Sequence, residues 1–229
     1  MSDTVRATPL ARRAALSDDV CDAIRSLLMN QAITPGQHIN IDQLAAELAV
    51  SQTPVREALS RLESDGLVRK RPQRGFFATE LLSAGDIDEI FELRMLIEPW
   101  AAGRAAAATE RVTHPVAAIR AEFARALAGL AEEPAEPYRH IFEHDVRFHA
   151  MIYERGGNAQ VARAFERTHC HLHLLRLQSG APRISPTMTE HETIVRALEE
   201  GSPRQAEQAM RVHLRASRRR AIAALSATS

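Results

Sequence analysis

Three histidines and one aspartate in the C-terminal part of the chain have the residue types and spacing to hold a metal ion. In the run YRHIFEHDVRFHAMIYE, Asp145 and His149 stand four apart and would share one helix face. His191 comes near the start of a later helical stretch, TEHETIVRALEEG, and His213 lies in the last one, AEQAMRVHLRASRRR. Together they would form an N3O donor set suited to Zn²⁺, Ni²⁺ or Mn²⁺, with coordination positions left open. Helical bundles commonly build such sites in their cores. Spacing alone does not show which helices meet. His140 and His144 form another i, i+4 pair, as do His169 and His173 in THCHLHLLRLQ, and each of these histidines is equally readable as a core or surface residue.

Open positions on a metal allow water activation or capture of a carboxylate. Hydrolysis would need a general base beyond the ligands. Glu190 and Glu143 are available but nothing marks them out, and neither G-x-S-x-G nor H-E-x-x-H occurs. A metal that only stitches three helices together is a third reading.

A different chemistry is suggested by SQTPVREALSRLESDGLV, residues 51–68. Thr53 as N-cap followed by Pro54 predicts a firm helix start, because proline's missing N–H is not needed there. Val55, Ala58, Leu59 and Leu62 supply the buried stripe, and Gly66 suits the position just past the helix end. Gln52, Thr53, Arg56 and Ser60 are then left exposed at the N-terminal turns, where they can reach phosphates and base edges. The next stretch, RKRPQRG, places Arg69, Lys70, Arg71 and Arg74 in and beside a hairpin tip at Gly75. Residues 51–76 hold six basic side chains, Arg61 among them, against three acidic ones. A basic ribbon after such a helix fits a wing for the phosphate backbone or minor groove. The plainer alternative is a three-helix core whose Arg56 pairs with Glu57 or Ser60.

The elements that must position these groups can be read from composition and pattern. A chain of 229 residues, 45% hydrophobic, can form one large domain or two modest ones. Its 29 basic and 29 acidic residues balance, so any nucleic-acid signal has to be local. Cys21 and Cys170 form no CxxC pair, which argues against a disulfide scaffold or thiolate zinc site. The N-terminus has no apolar signal segment, and no run approaches the roughly 18 apolar residues of a membrane span. A cytoplasmic protein with no membrane partner is expected. Residues 1–15 read as a flexible arm. A first helix is expected from Ser17, as cap before Asp18 and Asp19, through Leu28, and a second over IDQLAAELAV. The recognition-type helix and two short strands come next. From Ser83 only helical periodicity remains, predicting helices at 83–108, 113–131, 137–155, 158–178, 187–200 and 203–224. The expected organisation is a mainly α chain: an arm at 1–15, a winged helix-turn-helix with a small β-hairpin wing at 16–80, and an all-α bundle at 81–229.

The segment ITPGQHINIDQLAAELAVSQTPVREALSRLESDGLVRKRPQRGFFAT resembles the winged-helix domain of the GntR family of bacterial transcription regulators, with the likeness running across 17–80. That resemblance implies binding to double-stranded operator DNA. Arg56 would contact bases, Ser51 and Thr53 phosphates, and the Arg74–Gly75 tip the minor groove, with Arg61 and Arg71 adding basic charge. Many relatives have arginine where this chain has Gln52. Glutamine pairs with adenine whereas arginine prefers guanine, so the operator is expected to differ there.

Residues 83–224 are similar to the FCD-type ligand-binding domain of the FadR branch of that family. DIDEIFELRMLIEPWAA resembles its opening helix, HDVRFHAMIYERGGN its D-x-x-x-H segment, and EHETIVRALEEGSPRQAEQAMRVHL its closing histidine pair. The resemblance implies that Asp145, His149, His191 and His213 hold a divalent transition metal, with Zn²⁺ favoured and Ni²⁺ or Mn²⁺ as alternatives. His169, His171 and His173 fall outside the matched motif and read as surface or pocket-lining residues. The resemblance also implies a pocket-facing Arg94, whose plainer reading is a surface pair with Glu98, and Arg176 is the second candidate for an effector contact. The implied protein is a homodimeric repressor whose operator binding responds to a small carboxylate effector at the metal. The alternatives are a metal-dependent hydrolase or lyase-like enzyme with an accessory DNA-binding domain, and an effector-free architectural DNA-binding protein.

Overall fold

A computed structural model describes residues 10–108, 115–131, 137–177 and 184–228. The chain divides into two compact units, Met1–Leu81 and Leu82–Ser229.

In the first unit, α1 (Leu10–Met29), α2 (Ile41–Glu47) and α3 (Gln52–Ser64) pack with a three-stranded sheet. Its strands are β1 (His38–Ile39), β2 (Val68–Arg71) and β3 (Gly75–Ala78), all antiparallel in the order β1-β3-β2. Ile24, Leu28, Val55, Ala58, Leu59, Leu62 and Leu67 are fully buried and form the core. The stripe expected on α3 is therefore its packed face. Three features differ from expectation. The first helix begins at Leu10, not Ser17, since residues 10–15 (LARRAA) are strong helix formers and run without a break into the rest of α1. Only residues 1–9 of the expected arm lie outside the described residues. The helix after Ser51 starts at Gln52, so the extended Ser51 is the N-cap and Thr53 is not. Pro54 then sits third in the helix, where the N–H still has no intrahelical acceptor and its loss costs nothing. The two-strand wing gains β1, too short for any two-residue period to reveal and held by pairing His38 with Phe77 and Ile39 with Phe76. The close of α3 is as expected. Gly66, at φ +74°, donates its N–H to Glu63 O while Leu67 donates to Leu62 O, satisfying the last carbonyls.

The second unit is all helix: α4 (Ala84–Ala107), α5 (Val116–Ala131), α6 (Pro137–Arg155), α7 (Ala159–Glu166), α8 (Cys170–Arg176), α9 (Ile184–Glu199) and α10 (Pro203–Thr228). Ser83 and Asp86 form a reciprocal capping box at the head of α4, and Asn158 caps α7 through the N–H groups of Gln160 and Val161. α4 runs against α10, α5 against α6 and α9, and α6 against α7 and α8. Phe148, Ile152, Ile194, Met210 and Leu214 fill the centre. The single helix expected at 158–178 is two helices. His169 adopts φ +45°, and the Thr168 hydroxyl accepts the Cys170 N–H, so the chain turns and α8 lies against α6. The architecture is thus mainly α, with a winged helix-turn-helix followed by a helical bundle.

Candidate functional site

Helix α6 presents Asp145 and His149 from adjacent turns, α9 brings His191 to them, and α10 brings His213. One donor atom from each of the four lies within 4.8 Å of the others. The three histidines are buried, and Asp145 keeps 23% side-chain exposure as the one polar edge of the group. Asp145 Oδ1 lies 3.7 Å from His149 Nε2 and 3.5 Å from His191 Nε2. The Nε2 atoms of His149, His191 and His213 are all buried without a hydrogen-bond partner among the described residues.

The opposite ring nitrogens of His213 and His191 are hydrogen-bonded, and that of His149 faces a carboxylate at ion-pair distance without hydrogen-bond geometry. His149 Nδ1 stands 2.7 Å from Glu98 Oε2, His213 Nδ1 2.8 Å from Glu190 Oε2, and His191 Nδ1 3.0 Å from His144 Nε2. A carboxylate can only accept, so Nδ1 of His149 and His213 carries the proton and Nε2 keeps its lone pair. Lone pairs buried together without donors are costly, and a cation removes that cost. Imidazoles held this way on their outer nitrogens, with a carboxylate beside them, fit a divalent transition ion.

Electrostatics agree with that fit. Burial pushes His149 down to about 4 despite the opposing pull of Glu98. Burial, then His213, holds His191 well below its ordinary range. Burial alone would raise Asp145, but His171 first, then His149 and His191, keep its carboxyl well below the usual range. Neutral imidazoles at His149 and His191 and an ionised Asp145 are the forms that bind metal at neutral pH.

Several residues of this site were passed over or misread in the sequence. Arg94 and Glu98 do form the i, i+4 pair considered as an alternative, but it is buried at 2% and 0% exposure, not at the surface. Glu98 is ionised because Arg94 and His149 together outweigh its burial. The guanidinium of Arg94 is thus bonded to the carboxylate that orients His149. A lone acid inside the apolar run MLIEPWAAG was the available signal. His171 is neither surface nor simply lining, for its Nδ1 lies 2.6 Å from Asp145 Oδ2 and its ring 4.7 Å from His149. No local spacing links it to Asp145, because the turn at His169 sets its direction. Arg220, in the last helix, bonds both oxygens of Glu190 at 2.7 and 2.8 Å. Arg176 is buried in α8.

In the first unit, Ser51, Gln52, Thr53, Arg56 and Ser60 are all exposed at the start of α3. Arg56 reaches Gln52 Oε1 at 3.4 Å, and Gln52 donates to Asp42 at the start of α2. Arg61 pairs with Asp18 of α1 at 2.5 Å. On the wing, Arg69, Lys70 and Arg74 are exposed, and the Arg71 guanidinium lies 4.4 Å from the Phe77 ring centre. Gly75 takes φ +84°, and a Cβ there would meet His38 Nε2 at 3.1 Å, so the tip favours glycine.

Residues 16–78 match the family described as bacterial regulatory proteins, gntR family, and residues 89–216, more than half of the chain, match the FCD domain. The chain belongs to the GntR family, in its FCD-type branch. It is a DNA-binding transcriptional regulator and not an enzyme. Among relatives of this GntR regulator, the uncharacterized HTH-type transcriptional regulator YdhC of Bacillus subtilis is 26% identical, spanning 83% of this chain and 84% of its own. The probable D-xylose utilization operon transcriptional repressor of Paenarthrobacter nicotinovorans is 29% identical, spanning 89% and 88% respectively. The crystal structure of a GntR transcriptional regulator from Rhodococcus sp. RHA1 shares the fold, with a TM-score of 0.70 at 20% identity over 91% of this chain and 98% of that one. No described helix is long and apolar enough to cross a membrane.

Proposed function

We propose that this GntR regulator is a homodimeric, cytoplasmic repressor whose hold on operator DNA is set by a small organic acid bound at a metal in the FCD domain. The observation that carries the reading is the set of unpartnered Nε2 atoms of His149, His191 and His213 beside Asp145. A divalent transition ion held there, Zn²⁺ in the first instance or Ni²⁺ or Mn²⁺, would supply open positions for a carboxylate. Arg94 and Arg176, both buried in the same unit, contribute cationic charge that favours an anion, although Arg94 shares its charge with Glu98.

Residues 16–80 would read DNA, with Gln52 and Arg56 on base edges, Ser51 and Thr53 on phosphates, and Arg61, Arg71, Arg74 and Gly75 along the backbone and minor groove. Exposure of the first four residues and of Arg61 and Arg74 supports this assignment. Residues 81–229 would bind metal and effector and form the dimer. Leu93, Leu96 and Trp100, at 39%, 77% and 40% exposure, lie along one face of α4 and suit a self-associating surface. Repression agrees with the D-xylose operon relative. An effector that favours one DNA-binding state typically supplies about 1–3 kcal/mol of coupling.

A thermal-shift screen of the purified protein against small carboxylates, with and without chelator, tests the reading. One acid should stabilise the protein, and the response should vanish with chelator and in Asp145→Ala. A response to an acid that survives both treatments would place the effector elsewhere.

A further inference from the structure

His191 is held differently from the other two histidines of the cluster. His149 and His213 lean on carboxylates, Glu98 and Glu190, each tied to an arginine. His191 leans on another imidazole. Its Nδ1 lies 3.0 Å from His144 Nε2, and His144 Nδ1 faces Glu122 Oε1 at 3.5 Å, the longer and weaker link. Glu122, His144 and His191 are 3%, 1% and 0% exposed and come from α5, α6 and α9. Glu122 is fixed in turn by Arg125, one turn along α5, and by Arg147 Nε at 3.0 Å. Phe123 and Phe148 flank the His144 ring, at centroid distances of 6.1 and 5.5 Å, and Phe148 stacks on His191 at 4.1 Å.

Hydrogen-bond bookkeeping gives this chain one direction. Glu122 can only accept, so His144 Nδ1 bears the hydrogen. Its Nε2 is then a lone pair and accepts from His191 Nδ1–H. His191 is left with its Nε2 lone pair turned toward Asp145 and His213. Nothing else among the described residues around His191 sets this tautomer, since its remaining ring contacts are to Phe148 and to His149 and His213, whose own Nε2 atoms are also lone pairs.

We infer that His144, anchored by Glu122, is a positioning residue of the metal centre, setting the tautomer and ring orientation of His191. It rests on the reading of Asp145, His149, His191 and His213 as metal ligands. A neutral imidazole acceptor lacks the negative charge with which a carboxylate polarises the donated N–H, so His144 acts on His191 through tautomer and orientation more than through charge.

The test uses full-length protein and Co²⁺ alone, whose visible absorption reports coordination and whose affinity is read by chelator competition. His144→Phe keeps ring volume among Phe123 and Phe148 but removes the acceptor. Co²⁺ affinity should fall about 10–100-fold, the usual effect of losing an orienting partner. The His191 nitrogen resonances of the metal-free variant should no longer show a fixed Nδ1–H form. His144→Gln, which can accept at a comparable reach, should recover most of the affinity and the tautomer, a rescue that a packing role would not give. Glu122→Gln should weaken binding by less than His144→Phe. If His144→Phe does not fold, the Gln variants decide: an unchanged His191 tautomer and Co²⁺ spectrum in Glu122→Gln, with His144→Gln binding no better than a His191→Ala control, overturns the inference. Unaltered affinity and tautomer in a folded His144→Phe overturns it too. Wild-type protein that binds no Co²⁺ would instead remove the metal reading itself.

Discussion

The two regions of this regulator that carry chemistry are built on opposite plans. At the start of α3 the chemical groups point outward, and Ser51, Gln52, Thr53 and Arg56 need only a correctly started helix with a buried opposite face. At the cluster of Asp145, His149, His191 and His213 the groups point inward, come from three helices, and each histidine faces a residue from a helix other than its own. A partner as large as DNA supplies its own alignment and tolerates side chains that order on contact. An ion a few ångströms across does not, so its ligands must be aimed beforehand. Mutations should therefore separate cleanly: outward-facing changes act on DNA affinity with little effect on folding, and inward-facing changes act on both metal and stability.

The largest expected break in that contrast is Glu98→Ala. It leaves the buried Arg94 guanidinium unpaired and His149 without its Nδ1 acceptor. Urea unfolding should show a loss of about 3–5 kcal/mol, and operator binding by the surviving folded fraction should be little altered. Chelation comes next. Metal at 100 times its dissociation constant stabilises a folded protein by about 2.7 kcal/mol, so stripping it should lower the melting temperature of the wild type and leave Asp145→Ala unmoved. Arg56→Ala should cost about 1–3 kcal/mol of operator affinity and relax specificity at one position. A melting temperature equal to wild type would show that the effect is confined to DNA. Equal weakening on every sequence would make Arg56 a phosphate contact.

Acid should act chiefly on the buried region. Burial holds His144 and His149 near 4, against an ordinary value of 6.5. Between those values the unfolded chain binds more protons than the folded one, so metal-free stability should be level around pH 7 and decline as pH falls from 6.5 toward 4. Glu190 extends the decline. Burial opposes its ionisation, but bonds from Arg220 and His213 bring it down to about 2 from an ordinary 4.5. Urea unfolding across a pH series in chelator measures this, and a decline beginning only below pH 4 would contradict it. The smallest effect belongs to the wing. Arg74→Ala should weaken binding about uniformly across sequences and reduce the salt dependence by about one counterion, with stability unchanged.

Much of this molecule was legible one element at a time. The stripe of Val55, Ala58, Leu59 and Leu62, the stop at Gly66, the wing and the helical second unit come from periodicity and from residues whose backbone preferences act locally. The exposure of Gln52 and Arg56 is the complement of that stripe. The pairing of Asp145 with His149 on one face is equally local. What no spacing could show was decided by packing. β1 exists only because Phe76 and Phe77 offer it an edge, the αL turn at His169 swings His171 onto Asp145, and α9 and α10 bring His191 and His213 to α6. Glu98 changed from an apparent surface pair to the buried support of His149 for the same reason. Periodicity and capping are set by neighbours within about four residues, so a sequence states them directly. Which helix faces meet, and hence which polar groups must satisfy one another away from water, is fixed only when the whole unit is packed.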